Sequence, residues 1–230
     1  LKMARTAKKR PLPLGKISPK SAIFFSVITG ILGTFMLWYW GGVLSALLGF
    51  GTILFYSFYY TLWLKPRTPY NIVIGGIAGA TGPLIAIAAV TGSIDIASFI
   101  LFLIVFFWTP PHFWALSLYR HEDYARVGVP MLPVVAGNHA TRLHILLYTI
   151  GLYITTLLPV YLRMSGWVYA AGAGILGMQF LMYAIRLFHH YSETLAKKMF
   201  GFSILYLFLI YIFLVLDHIP VLHWLPPSFL

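Results

Sequence analysis

Seven stretches of this chain, at roughly 21–40, 43–63, 71–91, 97–118, 143–162, 167–187 and 200–216, are almost wholly apolar. Each approaches the roughly 20 residues that a helix needs to cross a bilayer. No alternating apolar–polar runs suggest a barrel, so helices must satisfy the backbone in lipid. Charged residues make up 9% of the chain and hydrophobic ones 60%, whereas a soluble domain carries about a quarter charged residues. The expected fold is an all-α polytopic membrane helix bundle. It divides into a basic segment at 1–20, a transmembrane bundle at 21–216 and a tail at 217–230. There are no cysteines, which excludes disulfides, thiolate metal sites and cysteine nucleophiles.

The basic residues orient this bundle. Seven lie before the first span: Lys2, Arg5, Lys8, Lys9, Arg10, Lys16 and Lys20. If the seven helices alternate, Lys65, Arg67, Arg120, Arg126, Arg142, Arg186, Lys197 and Lys198 share their side, and Arg163 stands opposite. Positive-inside bias then puts the N-terminus in the cytoplasm and the C-terminal tail outside. The net charge of +11 is spread over these loops rather than gathered on a soluble face, so a nucleic-acid partner is not expected. The opening LKMARTAKKR is not a signal peptide, because no apolar stretch with a cleavage site follows it directly.

Against so few acids, the adjacent Glu122 and Asp123 in PPHFWALSLYRHEDYARVGVPMLP stand out. Two readings are open. They form a solvated turn paired with Arg120 and Arg126, or they make a metal or phosphate site, since Mg²⁺ favours carboxylate and phosphate oxygens and arginine grips phosphate. On one continuous helix His112, Tyr119 and Asp123 would fall within about 40° of each other, with about 16 Å of rise from His112 to Asp123. They would then line one elongated pocket. Pro110 and Pro111 should disturb the helix beside His112, because two donors are missing and the ring crowds the preceding turn. His112 is either a packing residue or the lining of a cavity.

Other features have simpler readings. The glycines of NIVIGGIAGATGP and the small residues of 170–177 suit close helix packing. Asn71 caps its helix or faces a site. Asp95 is a cap or solvated. Trp38, Tyr39, Trp40 and Trp167 sit where interfacial anchors are expected. The basic cluster at 4–19 anchors the chain to anionic lipid, or serves as a phosphate- or carboxylate-binding arm.

Taken together, RTAKKRPLPLGKISP, NIVIGGIAGATGPLI, PPHFWALSLYRHEDYARVGVPMLPV and KKMFGFSILYLFL resemble the UbiA prenyltransferase superfamily over essentially the whole chain. Within it they resemble the branch that farnesylates heme. The resemblance implies an intramembrane enzyme of nine helices, with Mg²⁺ as cofactor. It would join the farnesyl group of farnesyl diphosphate to a vinyl of heme B, with water, giving heme O for heme-copper oxidases. Asp123, with Tyr119 and Arg120, would meet the Mg²⁺-diphosphate, Glu122 joining Asp123 at the metal. Arg5, Lys9, Arg10 and Arg126 would hold diphosphate or heme propionates. His112 and Asn71 would contact heme, His112 as a possible axial ligand. The lipid bilayer surrounds the enzyme, and a following heme-modifying enzyme or oxidase assembly factors are its expected partners. PPHFWAL favours a bacterial inner membrane over a mitochondrial one.

Three departures qualify the match. The superfamily's first acidic motif would lie immediately before LKMART, so an N-terminally truncated chain, seven helices of nine, is expected to bind Mg²⁺-diphosphate poorly. RTAKKRP is one residue longer than the usual spacing, so Lys9 or Arg10 takes the second basic position. Gly82 replaces a common proline, which should loosen that helix. The rival expectations are a relative prenylating a quinone precursor, and a non-enzymatic seven-helix transporter.

Overall fold

In the computed structural model, residues 10–126 and 128–219 are described. Among these residues six helical stretches are long and apolar enough to cross a membrane. The first, Pro19–Leu64, spans 46 residues and contains two of the expected spans. It comprises α1 (Pro19–Leu54), continued by a π-helix over Phe55–Leu64. The run is broken at Gly42, whose φ of 77° and ψ of 176° lie outside helical space and suit only glycine. The chain reverses there. Ser45 Oγ donates to the Leu37 carbonyl at 3.0 Å, and a Cβ on Gly49 would lie 2.5 Å from Leu37 Cδ1. In a straight helix twelve residues would separate that pair by about 18 Å. The expected spans 21–40 and 43–63 are thus two legs of one hairpin. At its tip Trp38, Tyr39 and Trp40 are exposed.

The remaining helices are α2 (Asn71–Ala80), α3 (Gly82–Thr91), α4 (Ile96–Leu118), α5 (His121–Arg126), α6 (Leu132–Val135), α7 (Gly137–Tyr161), α8 (Trp167–His189) and α9 (Glu193–Asp217). α2 and α3 make one membrane stretch interrupted at Thr81. Pro83, lacking an N–H, cannot bond back across that step, which accounts for the interruption without calling on Gly82. α4 begins with a reciprocal cap: Ser98 N donates to Asp95 Oδ1 at 2.8 Å, and Asp95 N donates to Ser98 Oγ at 3.1 Å. The Ser98 bonds hold the Asp95 carboxyl below the usual carboxylate range.

α4 stays helical through Pro110 and Pro111, contrary to the expected disturbance. The proline φ is compatible with a helix, and what is lost is backbone hydrogen bonding. Nearby side chains tie this stretch instead, as described below. The chain divides into two compact units. The first takes the chain through Phe102 together with Arg120–Val135, and the second takes Leu103–Tyr119 with the chain from Ala136 onward.

In the first unit the hairpin packs against α2 and α3. A Cβ on Gly75 would meet the Tyr60 ring at 2.6 Å, so the small residue permits close approach. Gly79 has nothing within 4 Å and makes no such contact. In the second unit α7, α8 and α9 pack in sequence. At one end Arg142 Nη1 donates to the Phe188 carbonyl at 2.9 Å, and Tyr191 Oη donates to the Leu118 carbonyl at 3.2 Å. At the other end Asp217, which closes α9, accepts from the backbone N–H groups of Gly166 and Tyr169 at the start of α8. It thereby satisfies donors that a helix start leaves open. Asp217→Ala is expected to cost about 0.5–2 kcal/mol, the usual loss of a helix cap. Thermal unfolding in detergent measures it, with Asp217→Asn falling less.

Many large apolar side chains are exposed along these helices, for example Phe24, Phe25, Ile31, Leu47, Leu62, Ile175 and Phe208. Their solvent is lipid. The chain is an integral membrane protein.

Candidate functional site

α4 ends at Leu118, Tyr119 and Arg120 form a turn, and His121 starts the new short helix α5. Asp123 N and Tyr124 N donate to the Arg120 carbonyl at 3.1 and 3.3 Å, so the turn closes on itself. The single helical face expected for His112, Tyr119 and Asp123 therefore does not exist. Two polar groups replace it, one in each unit.

The first unit carries the acidic group. Asp123 Oδ2 lies 3.7 Å from Arg120 Nη1, and both side chains are about 40% exposed, at 43% and 37%. Glu122 Oε2 lies 3.6 Å from Arg126 Nη2, with both side chains largely exposed. Adjacent positions on a helix diverge by about 100°, which sends the two carboxylates to different arginines. The solvated-turn reading is what the geometry displays, and exposed pairs of this length are weak, of order 0–1 kcal/mol. Both carboxylates can therefore exchange partners cheaply.

Asn71 opens α2 but does not cap it. It is buried, and its Nδ2 donates to the Lys65 carbonyl at 3.3 Å, closing the loop after the π-helix. Arg10 is exposed at the edge of an apolar cleft with Pro11, Ile17 and Phe25. Arg5 and Lys9 lie outside the described residues.

The second unit carries the histidine. His112 is 8% exposed. Its ring lies between Trp108, with centroids 4.4 Å apart and planes 19° from parallel, and Phe200, at 4.6 Å and 26°. Nδ1 is 2.6 Å from Ser203 Oγ. Trp108 Nε1 donates to the backbone carbonyl of the same Ser203 at 2.7 Å. Tyr119 meets Phe200 edge-on at 6.2 Å, and Lys197 Nζ lies 5.5 Å from the centre of its ring. The end of α4 that carries the two prolines is thus bound to the first half of α9 by aromatic stacking and hydrogen bonds.

Sequence reasoning missed Trp108, Lys197, Phe200 and Ser203. The signal was available for Ser203, a polar residue inside the otherwise apolar run of α9 in KKMFGFSILYLFL. Its partner on α4 was not readable.

The comparisons with known proteins bear on these groups. The UbiA prenyltransferase family profile matches residues 1–216. The chain belongs to the UbiA prenyltransferase family. It is 52% identical, over 94% of its length and 72% of the relative's, to a protein of Nitrosomonas eutropha named protoheme IX farnesyltransferase. It is 48% identical to one of the same name from Legionella pneumophila (strain Paris), over 94% of this chain and 73% of that one. A solved structure from work on digeranylgeranylglyceryl phosphate synthase in membranes superposes with a TM-score of 0.75. It covers 91% of this chain and 73% of its own at 22% identity, and so speaks for the fold alone.

UbiA prenyltransferases generally use a divalent metal ion. Among the described residues no three His, Asp or Glu side chains gather as a metal cage. The donors present suit a different arrangement. Mg²⁺ is commonly held by one or two carboxylates plus substrate phosphates and water, and Asp123, half-exposed and only loosely paired, fits as one such carboxylate. Glu122 can join it only by leaving Arg126.

Proposed function

We infer that this protein transfers the farnesyl group of farnesyl diphosphate to a vinyl group of heme B, with water, to form heme O. The observation that carries the reading is identity near 50% across 94% of the chain to proteins named protoheme IX farnesyltransferase. We place it in a bacterial inner membrane, N-terminus cytoplasmic, on the distribution of its basic residues and its bacterial relatives.

The chemistry has two halves. The bond from the farnesyl C1 to the diphosphate oxygen breaks, and the vinyl π-electrons form the new carbon–carbon bond. Water then adds to the resulting cation beside the porphyrin and releases a proton. No protein nucleophile is required. A bound Mg²⁺ would supply charge to the departing diphosphate. The protein's part is to hold that charge in place. Asp123 is the metal-side carboxylate, with Glu122 as a second ligand when Arg126 turns to phosphate. Arg120, Arg126 and Arg10, with Arg5 and Lys9, neutralise phosphate or propionate oxygens. Tyr119 meets the diphosphate end of the substrate beside Asp123 and Arg120. His112 contacts heme, and Asn71 supports the site by holding the Lys65 loop.

The test uses the protein expressed from its complete coding sequence and supplied with heme B, farnesyl diphosphate and Mg²⁺. Mass spectrometry is expected to find heme plus farnesyl plus water, and chelation of the metal is expected to abolish it. Prenylation of a quinone precursor with no heme product would overturn the acceptor while keeping the family.

A further inference from the structure

Ser203 is fully buried in α9, inside an apolar helix, and its hydroxyl has two close neighbours. Its Oγ lies 2.6 Å from the Phe200 carbonyl and 2.6 Å from His112 Nδ1. A serine hydroxyl has one proton to donate. If that proton pointed at His112, two oxygen lone pairs would face each other at 2.6 Å with nothing between them. The hydroxyl therefore donates to Phe200, and toward His112 it accepts. Nδ1 then carries the imidazole proton, and Nε2 of the neutral ring is left with a lone pair.

The surroundings remove the remaining freedom. Trp108 and Phe200 cover both ring faces, and Phe113 meets the ring edge-on at 5.0 Å. The Trp108 indole is itself fastened to the Ser203 carbonyl. One residue thus fixes the proton of the imidazole through its side chain and one wall of the stack through its backbone. Nε2 makes no hydrogen bond among the described residues, and it is not among the sealed polar atoms left without a partner. It is the ring's open edge.

We propose that Ser203 is a positioning residue that holds His112 as the Nδ1–H tautomer, so that Nε2 presents a lone pair to the iron of the heme substrate. This rests on the reading of His112 as the heme-contacting residue. Histidines that bind metals usually donate their other N–H to an acceptor that sets tautomer and ring angle. Here the acceptor is a hydroxyl whose own proton is already committed.

The experiment has two arms on the full-length protein in nanodiscs. In the first, ligand-free protein carrying ¹⁵N-histidine is observed by NMR, with the His112 signals assigned by their loss in His112→Gln. A protonated Nδ1 and bare Nε2 are expected, and the reverse tautomer would sink the proposal whether or not any Ser203 variant folds. In the second, ferric heme is titrated by its absorbance spectrum. Ser203→Ala is expected to weaken heme binding about 10–100-fold, the usual range for losing such a partner. KM for farnesyl diphosphate should be unchanged, and Ser203→Thr should restore binding. Adding Ser203→Ala to His112→Ala should do nothing further; an additive loss would show that Ser203 acts elsewhere and overturn the idea. Wild-type protein that binds no heme would instead overturn the functional reading, a result separable from the tautomer arm.

Discussion

Asp123→Asn is expected to lower farnesyl transfer to heme by about 10²–10³-fold, the scale seen when one preorganised charge-stabilising group is lost. The substitution keeps the size of the side chain and removes the negative charge with which the carboxylate would hold Mg²⁺ beside the diphosphate. Stability should hardly change, because the Arg120 pair it breaks is long and about 40% exposed and such pairs contribute little. Glu122→Gln is the informative partner. Its carboxylate faces Arg126 rather than Asp123, so a loss of tenfold or less is expected. Product formation by mass spectrometry at varied Mg²⁺ separates the two. If raised Mg²⁺ restores Glu122→Gln but not Asp123→Asn, Asp123 is the principal ligand. Equal losses in both would mean the two carboxylates act as one site.

The second large effect is on the bundle. Gly172→Val should destabilise the second unit by about 1–3 kcal/mol or more, the cost of forcing atoms into a packed core. A Cβ there would lie 2.4 Å from Phe213 Cδ2 and 2.6 Å from its Cγ. Contact with Cγ means the ring cannot escape by a small tilt and must leave its rotamer. Gly174→Ala, two residues on, has nothing within 4 Å and should be neutral or slightly stabilising, since alanine favours helix over glycine. Thermal melting in detergent reads both. Comparable losses in Gly172→Val and Gly174→Ala would show that helix–helix contact is not what the glycine serves. Adding Phe213→Ala to Gly172→Val should recover part of the loss.

These two predictions divide along what could be read in advance. Membrane spans are legible because lipid demands about 20 apolar residues per crossing, and 43–63, 97–118 and 167–187 fall close to the observed helices. The small residues of 170–177 were legible as packing, since Gly172 and Gly177 occur where only a hydrogen side chain leaves room for the neighbouring rings of Phe213 and Tyr153. Asp95 was legible as a cap because its partner is three residues away.

Local geometry limited the rest. The Pro110–Pro111 pair reads as a break, yet α4 runs on, since proline's φ is itself helical, and the flanking Trp108 and His112 bond to Ser203, 95 and 91 positions further along. The alignment of His112, Tyr119 and Asp123 assumed an unbroken helix, and the turn at Tyr119–Arg120 removes it. Asn71 looked like a cap or a contact, but its amide closes a loop to Lys65.

The sequence by itself determined that this chain lives in a membrane, roughly where its long apolar helices run and which family it belongs to. Those properties depend on hydrophobicity, glycine freedom and residues close in the chain. Only the tertiary structure decided which acid faces which arginine and what holds His112. Those depend on side chains that meet after folding, and a hydroxyl with a single proton to give has no partner until α9 is laid against α4.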